Sequence, residues 1–278
     1  MSGVIFPRSL EELFARQERH PDAFLMAGGT DLLVRLRSFL PEQEKPFICL
    51  ERIHELSEVR ELPDGGIVIG GCVSFSRIAA HPLLRKRCPV LTRAAASAGG
   101  PAIRNMATIG GNIATASPAG DSLPPLYVLG AVLELVSAGG VRRLPVAEYI
   151  TGPGMSSGGP GEVISKILIP SPDRFNLQHF EKVGRRKSLA IAVASLAAAI
   201  RLENDRVAEA RFAWGSVGPT VVCCPEAEAA LVGRPLTEES LIVAAGHARE
   251  TVRPIDDIRA TAAYRRAVAG NLLLRLAV

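Results

Sequence analysis

Residues 25–32 read Leu-Met-Ala-Gly-Gly-Thr-Asp-Leu and place two adjacent glycines between a predicted strand, Ala23 to Met26, and a predicted helix, about Asp31 to Arg37. Glycine lets the backbone approach a ligand closely and adopts positive φ, so successive N–H groups can converge on an anion near the positive end of a helix. A diphosphate would fit such a bend. Adjacent glycines also occur in ordinary strand-to-helix turns, and the stretch lacks the G-x-G-x-x-G pattern of a Rossmann site.

A second glycine pair lies in Thr108-Ile109-Gly110-Gly111-Asn112. It belongs to a stretch from Thr108 to Gly120 without sustained hydrophobic period, which predicts a long loop, and such loops in compact domains usually have a function. Up to Asp121 the stretch supplies backbone donors, hydroxyls and a carboxylate. That mixture suits a cofactor with a diphosphate, a ribose diol and a polar ring edge. A simple turn is again the alternative, but two such bends in one chain favour a cofactor.

Hydrophobic periodicity predicts a mixture of helices and strands before residue 170. Ser9 and Glu12 form a capping box, which predicts a first helix from Leu10 to about Arg19. Further elements follow along the chain: strands at Phe47 to Leu50, Gly66 to Ile69, Ala131 to Val136 and Glu162 to Ile169, two helices between Phe75 and Ala98, and a mobile glycine-rich loop at Thr151 to Gly161.

The character of the sequence changes after Pro170-Ser171-Pro172, which predicts the main domain boundary near residues 170–175. Leu189 to Leu202 fits a strand or a helix by periodicity alone, and the hairpin signal Asn204-Asp205 favours a strand. The remaining elements predict a small antiparallel sheet plus helices: strands at Phe175 to Val183 and Arg206 to Trp214, and two helices from Thr237 onward, the last from about Thr261 to Leu276.

Composition excludes several classes of function. The 278 residues suffice for two or three domains. A formal charge of +4 is too small to indicate a nucleic-acid-binding surface. The five cysteines are scattered without C-x-x-C spacing, which argues against a disulfide framework or a metal site held by this chain. No secretion signal is visible, and the longest apolar run, Leu189 to Ile200, is shorter than the ~20 residues of a membrane helix. A cytoplasmic protein is predicted, with peripheral association at the inner membrane face as the alternative.

The two glycine motifs together resemble those of the FAD-binding medium subunits of xanthine dehydrogenase, carbon monoxide dehydrogenase and related molybdenum hydroxylases. One bend of that family reads A-G-G-T-D or A-G-G-H-S, and the other reads T-I-G-G-N followed by A-S-P-x-x-D; this sequence contains both. The resemblance extends to Val183-Gly184-Arg185-Arg186 and to Arg253-Pro254-Ile255-Asp256-Asp257-Ile258-Arg259 with Tyr264-Arg265-Arg266. It therefore covers nearly the whole chain.

The resemblance implies an α+β fold with two parts. Residues 1–172 would form an FAD-binding domain of the vanillyl-alcohol-oxidase (PCMH) type, with subdomains of about 1–56 and 57–172. Residues 173–278 would form a C-terminal α+β domain like that of carbon monoxide dehydrogenase flavoproteins, with a small antiparallel sheet and helices.

The resemblance also implies a set of FAD contacts. For three of them a purely structural role is the alternative. Asp121 could cap a helix near Ser122, Ile164 could belong to the core, and Lys182 could be an ordinary surface lysine. A lysine near the flavin would stabilise the negative charge of a reduced ring. The implied contacts are Leu25, Met26, Ala27, Gly28, Gly29, Thr30, Asp31, Leu32, Thr108, Ile109, Gly110, Gly111, Asn112, Asp121, Ile164 and Lys182.

The implied function is electron transfer. A small partner subunit would deliver electrons from 2Fe–2S clusters, a large molybdopterin subunit would oxidise the substrate, and this FAD subunit would reduce an external acceptor. The resemblance implies that these three chains assemble as a dimer of three-chain units. No catalytic residue and no metal ligand are predicted in this chain. The run of residues 185–190 lacks the acidic pair of xanthine-oxidising relatives, and no cysteine-rich insert is present. A free-standing FAD oxidoreductase and a non-enzymatic binding protein are the alternatives.

Overall fold

A computed structural model describes residues 3–38, 45–186 and 189–277 of the chain. Lys187, the last member of the basic run at residues 185–187, lies outside the described residues. The strands are β1 (Val4–Ile5), β2 (Phe24–Met26), β3 (Phe47–Cys49), β4 (Val59–Glu61), β5 (Ile67–Gly70), β6 (Val132–Ser137), β7 (Gly140–Pro145), β8 (Ile150–Gly152), β9 (Met155–Ser156), β10 (Val163–Ile169), β11 (Leu177–Gly184), β12 (Ala192–Glu203), β13 (Arg206–Gly215) and β14 (Val222–Cys223). The helices are α1 (Leu10–Arg19), α2 (Leu32–Ser38), α3 (Phe75–Ala80), α4 (Pro82–Arg87), α5 (Pro89–Ser97), α6 (Pro101–Met106), α7 (Ile109–Thr115), α8 (Leu123–Val128), α9 (Val146–Tyr149), α10 (Pro225–Ala229), α11 (Glu238–Thr251) and α12 (Ala262–Leu274).

The N-terminal part is a parallel three-stranded sheet in the order β1-β3-β2, flanked by α1. The predicted first helix is confirmed, since Ser9 Oγ accepts a hydrogen bond from the Glu12 N–H at 3.1 Å. Glu12 closes the cap differently from a standard capping box, because its carboxylate accepts from the N–H of Arg8 at 2.9 Å. Leu13 on the inner face of α1 is fully buried against β3 and the turns that follow it.

The second sheet is antiparallel, in the order β4-β5-β10-β6-β7. Helices α3 to α5 cover the region where two helices were predicted between Phe75 and Ala98. Three form instead, because Pro82 and Pro89 each occupy the first position of a new helix and cannot continue the preceding one. An X-Pro step disfavours helical backbone at the residue before the proline, so each of these two helix boundaries has a signal in the sequence.

The predicted loop from Thr108 to Gly120 is wrong in its first half, which forms helix α7. Thr108 caps the helix, and Ala116 ends it in the left-handed conformation with φ of 49°. Gly110 lowers the local helix propensity, but tertiary packing outweighs this: a Cβ at Gly110 would lie 2.6 Å from the carbonyl oxygen of Gly71. The glycine-rich segment at residues 151–161 contains the small hairpin of β8 and β9.

The third sheet is antiparallel, in the order β11-β12-β13-β14. The strand preferred for Leu189 to Leu202 is confirmed by β12, and the turn into β13 has positive φ at both Asn204 (50°) and Asp205 (59°). Helices α10 to α12 cover one face of the sheet around Trp214, whose indole N–H donates to the carbonyl oxygen of Ala269 at 3.0 Å.

The other face of this sheet packs on helices α5 and α8, so one continuous apolar core joins the second and third sheets. The C-terminal end of α5, the loop before α8 and strand β11 consequently meet at one place. Among the described residues, no helix is both long and apolar enough to cross a membrane.

Candidate functional site

Both glycine bends line one cleft with a volume of about 510 Å³. All of residues 25–32 contribute from the first bend, and Thr108, Gly111 and Asn112 contribute from the second. The end of α7, the helix that contains most of the second bend, contacts the first bend, since the Thr115 hydroxyl donates to Asp31 Oδ2 at 3.4 Å. Two segments distant in sequence thus form opposite walls of a single site.

The two glycines of the first bend are needed for different reasons. A Cβ on Gly28 would lie 1.7 Å from the carbonyl oxygen of Met106, so this position permits close packing on the end of α6. Gly29 has φ of +68°, the left-handed conformation that L side chains rarely adopt. Together they turn the chain from β2 directly into α2.

The N–H groups of the first bend are available to a ligand. Those of Gly28, Gly29, Thr30 and Asp31 donate no hydrogen bond to any residue that the structure describes. They precede helix α2, whose N-terminal end adds partial positive charge. This wall of the cleft therefore suits an anion.

Four of the five N–H groups of the second bend, those of Ile109 to Asn112, are already satisfied. Those of Ile109 and Gly110 donate to the carbonyl oxygens of Val73 (3.0 Å) and Gly71 (2.9 Å). The Gly111 N–H donates to the Thr108 hydroxyl at 3.2 Å, and the Asn112 N–H donates to the Thr108 carbonyl at 3.0 Å. The first bend therefore offers four free N–H groups to an anion, whereas in the second bend only the Thr108 N–H donates to no residue that the structure describes.

A largely buried ion pair joins the cleft wall to strand β11: Asp121 lines the cleft, whereas Lys182 does not. Asp121 Oδ2 lies 2.9 Å from Lys182 Nζ, and the two side chains are 12% and 9% exposed. Lys182 also donates to the carbonyl oxygen of Ser97 at 2.7 Å. Burial raises the pKa of Asp121, although the cation of Lys182 opposes the shift. Asp121 lines the cleft, and its Oδ1 is buried with no hydrogen-bond partner among the described residues.

The alternative roles for these two residues, a helix cap for Asp121 and an ordinary surface lysine for Lys182, are wrong. Helix α8 begins at Leu123, and Asp121 accepts no hydrogen bond from its first turn. Lys182 is not an ordinary surface lysine, because it is buried against Asp121 and Ser97.

Ile164 lines a smaller cavity of about 140 Å³ beside the cleft. Leu25, Ala27, Gly111 and Ala114 line both spaces, so the two are adjacent. Ile164 is only 7% exposed and also belongs to the main apolar core, so its core assignment is correct as well. Gly110 lines this smaller cavity, whereas Ile109 is fully buried and lines neither space.

Further cleft residues were not predicted. They come from α2, α3, α6 and α7, from the end of α5, from the loop that follows α7, and from residues just after α6 and just before β12. The loop after α7 belongs to the stretch from Thr108 to Gly120 that the sequence indicated as functional, and Gly99 has positive φ. The unpredicted lining residues are Arg35, Phe75, Ala98, Gly99, Ile103, Ala107, Ala114, Thr115, Ser117, Ala119, Gly120 and Ile191.

The donor set fits a dinucleotide. The cleft volume is in the usual range for small-molecule sites, roughly 300–1,000 Å³. It offers free N–H groups for an anion, an unpartnered carboxylate oxygen at one end and an adjoining apolar cavity at Ile164. Within the described parts of the chain, no group of three or more His, Cys, Asp or Glu side chains could hold a metal ion.

Comparison with known proteins extends over the whole chain. Residues 1–172 match the family described as FAD binding domain in molybdopterin dehydrogenase, and residues 178–277 match the CO dehydrogenase flavoprotein C-terminal domain. The chain is 30% identical to the nicotinate dehydrogenase FAD-subunit of Eubacterium barkeri, over 98% of its own length and 93% of that protein. It is 33% identical to a putative xanthine dehydrogenase FAD-binding subunit of Escherichia coli K12, over 88% and 84% of the two chains.

Solved structures agree with this likeness. A reconstituted CO dehydrogenase from Oligotropha carboxidovorans superposes with a TM-score of 0.92 at 28% identity, covering 99% of this chain and 96% of that one. Quinoline 2-oxidoreductase from Pseudomonas putida 86 gives 0.93 at 28% identity, with 99% and 95% covered. The predicted α+β fold, of the FAD-binding PCMH type with a C-terminal α+β part, is confirmed.

Proposed function

The chain belongs to the family of FAD-binding subunits of molybdenum-containing oxidoreductases, and from this membership we propose that it conducts electrons from the 2Fe–2S clusters of a partner subunit to an external acceptor. The observation that carries the proposal is the single cleft lined by both glycine bends and by Asp121, which is paired with the largely buried Lys182. The predicted contacts for the cofactor, from residues 25–32 and 108–112 with Asp121, Ile164 and Lys182, are part of this proposal.

The first bend would hold the diphosphate. The N–H groups of Gly28 to Asp31 point at no protein acceptor among the described residues, and a diphosphate supplies the oxygens that they need. The second bend would act differently from the first, mainly by packing, because Val73, Gly71 and Thr108 already accept hydrogen bonds from four of its five N–H groups.

Asp121 would bind a polar hydrogen-bearing group of the cofactor. Its Oδ1 has no described partner, and a buried acceptor without a partner is costly. Lys182 would keep Asp121 ionised by its charge, and would act on the cofactor mainly through that carboxylate. Ile164 would contact an apolar part of the cofactor from the adjoining cavity.

FAD, when bound, accepts electrons one at a time and releases them singly or as hydride. The chain's own residues would bind and orient it and exclude water. This explains why no acid, base or nucleophile is needed in the cleft. We further propose that the partners are a 2Fe–2S small subunit and a molybdopterin large subunit, arranged as a dimer of heterotrimers in the cytoplasm.

Affinity purification of the tagged chain, followed by mass spectrometry and an absorbance spectrum, tests the proposal. We expect FAD together with two co-purifying subunits that carry molybdenum and 2Fe–2S clusters. A yellow chain that purifies alone and turns over a substrate by itself would instead establish a free-standing FAD oxidoreductase. A colourless chain without partners would overturn both.

A further inference from the structure

A second cavity of about 440 Å³ lies next to the cleft and has no place in the predicted FAD contacts. It shares Ser117, Ala119 and Ile191 with the cleft, so a molecule in this cavity would sit directly beside the cofactor site. Its lining includes residues 253, 255, 257, 259 and 265, from a segment that carries part of the family resemblance and that the proposed function does not use.

The charged side chains of the cavity are predominantly cationic. Arg253, Arg259 and Arg265 line it against one carboxylate, that of Asp257. Asp257 is fully engaged: it accepts from the N–H groups of Arg259 and Ala260 and from the guanidinium groups of Arg259 (2.8 Å) and Arg265 (2.6 Å). The cavity therefore retains an excess of positive charge.

Two buried polar atoms of the wall lack partners. Arg265 is 3% exposed, and its Nη1 donates to the carbonyl oxygens of Val193 and Ser216, each at 2.9 Å. Its Nε and the hydroxyl of Ser216 have no hydrogen-bond partner among the described residues. Both residues line this cavity. Unsatisfied buried polar groups are rare in native proteins and point to a missing polar occupant.

Ser216 is also strained. Its φ is +64°, although it carries a side chain, and its N–H and carbonyl are fixed by Pro118 (2.9 Å) and Arg265. Such strain persists only where the surroundings enforce it, and it is concentrated at ligand-binding sites. Positive charge, two buried polar atoms without partners and a strained backbone therefore occur together in the lining of this cavity.

We propose that this cavity binds the anionic group, carboxylate or phosphate, of the small organic molecule that receives the electrons. Arginine forks match the geometry of both anions. Pro118, Pro219 and Ile255 provide apolar walls for the uncharged part of the molecule. The inference rests on the proposed electron-transfer function, because the bound molecule would take up the two electrons, and with them the proton, that oxidation of reduced FAD releases.

Direct binding provides the first test. The complex saturated with FAD is titrated calorimetrically with pyrophosphate and, separately, with succinate. We expect at least one of these anions to bind, and Arg253→Gln and Arg259→Gln each to weaken it tenfold or more. Arg206→Gln is the matched control, because Arg206 is exposed, donates to a backbone carbonyl and lies outside the cavity. Arg265 is left intact because it holds the wall together. Absence of binding, or equal binding by all variants, overturns the inference.

Electron release provides the second test. The flavin is reduced anaerobically with dithionite and mixed in a stopped-flow instrument with anionic dichlorophenolindophenol or with cationic phenazine methosulfate. Arg253→Gln and Arg259→Gln should slow reoxidation by the anion about tenfold and leave reoxidation by the cation unchanged. Flavin that reoxidises equally fast in every variant contradicts this inference alone, whereas a protein without flavin contradicts the proposed function.

Discussion

At the scale of single residues, Gly28 and Gly29 are adjacent yet obey different constraints. Replacing Gly28 by Ala places a methyl group 1.7 Å from the Met106 carbonyl oxygen, so the bend has to move away from α6. We expect Gly28→Ala to lose FAD on gel filtration and to lower the free energy of unfolding by about 1–3 kcal/mol, the usual effect of overpacking.

Gly246 is the matched control for that substitution. It lies within α11, and a Cβ there meets nothing within 4 Å. Gly246→Ala should retain FAD and raise the free energy of unfolding by about 0.5–1 kcal/mol through helix propensity. Full FAD occupancy in a folded Gly28→Ala protein would show that the first bend is not part of the site.

The Asp121–Lys182 pair predicts an effect that depends on pH. Lys182→Met leaves a buried carboxylate without its cation, and breaking a buried pair in this way costs about 3–5 kcal/mol. Burial raises the folded-state pKa of Asp121, and loss of Lys182 raises it further, so the penalty applies above that pKa. It should shrink as the pH falls below that pKa and disappear below 3.8, the usual value, where the carboxyl is protonated in both states.

Urea denaturation of wild type and Lys182→Met across this pH range measures the effect. Arg275→Gln serves as the control, because Arg275 pairs with Glu181 at the surface, where it is 66% exposed. That variant should change stability by less than about 1 kcal/mol. An equally small effect of Lys182→Met at neutral pH would mean that the buried pair does not exist in solution.

At the scale of secondary-structure elements, helix α7 depends on its N-cap. Thr108→Ala removes the acceptor of the Gly111 N–H, which should cost about 0.5–2 kcal/mol and weaken FAD binding, since α7 walls the cleft. Thr237→Ala removes the equivalent cap of α11, far from the cleft lining, and should cost a similar amount without affecting FAD. Fluorescence titration with FAD distinguishes the two, and equal FAD affinities would contradict the assignment of α7.

The segment between α11 and α12 is organised by Asp257. Hydrogen bonds from the Arg259 N–H, from Arg265 and from the Ala260 N–H lower the pKa of this carboxyl from 3.8 to about 2. Because the folded-state pKa is depressed, the stabilisation is complete above the usual value and is lost as the pH falls from about 3.8 to about 2. The difference in unfolding free energy between wild type and Asp257→Asn should therefore be constant at neutral pH and vanish over that interval. A difference that persists at pH 2 would contradict this.

Local sequence patterns predicted most of these elements for identifiable reasons. Asn204-Asp205 resolved the ambiguity of β12 because this pair tolerates the positive φ of a tight hairpin. Helix α7 was missed because Gly110 and Gly111 weaken helix propensity, and the compensating contact comes from Gly71, which is remote in sequence. Whether an N–H group in either bend is free or already hydrogen-bonded is also decided by such remote contacts, so the sequence could not show how the two bends differ.

At the scale of the whole molecule, contacts between the sheets contribute to the cleft, whose lining extends from Leu25 to Ile191 along the chain. The third sheet packs on α5 and α8, which brings Lys182 of β11 against Asp121 and Ser97. The sequence indicated Asp121 and Lys182 only through family resemblance, because nothing local relates an aspartate in one loop to a lysine on a distant strand. Packing between sheets therefore contributes directly to the site.

A density map of the protein purified with its cofactor tests most directly whether FAD lies between the two glycine bends. We predict the diphosphate at the N–H groups of Gly28 to Asp31 and a polar group of the cofactor within hydrogen-bonding distance of Asp121 Oδ1. Flavin density elsewhere in the molecule, or density in which neither the bend nor Asp121 contacts the cofactor, would contradict the claim.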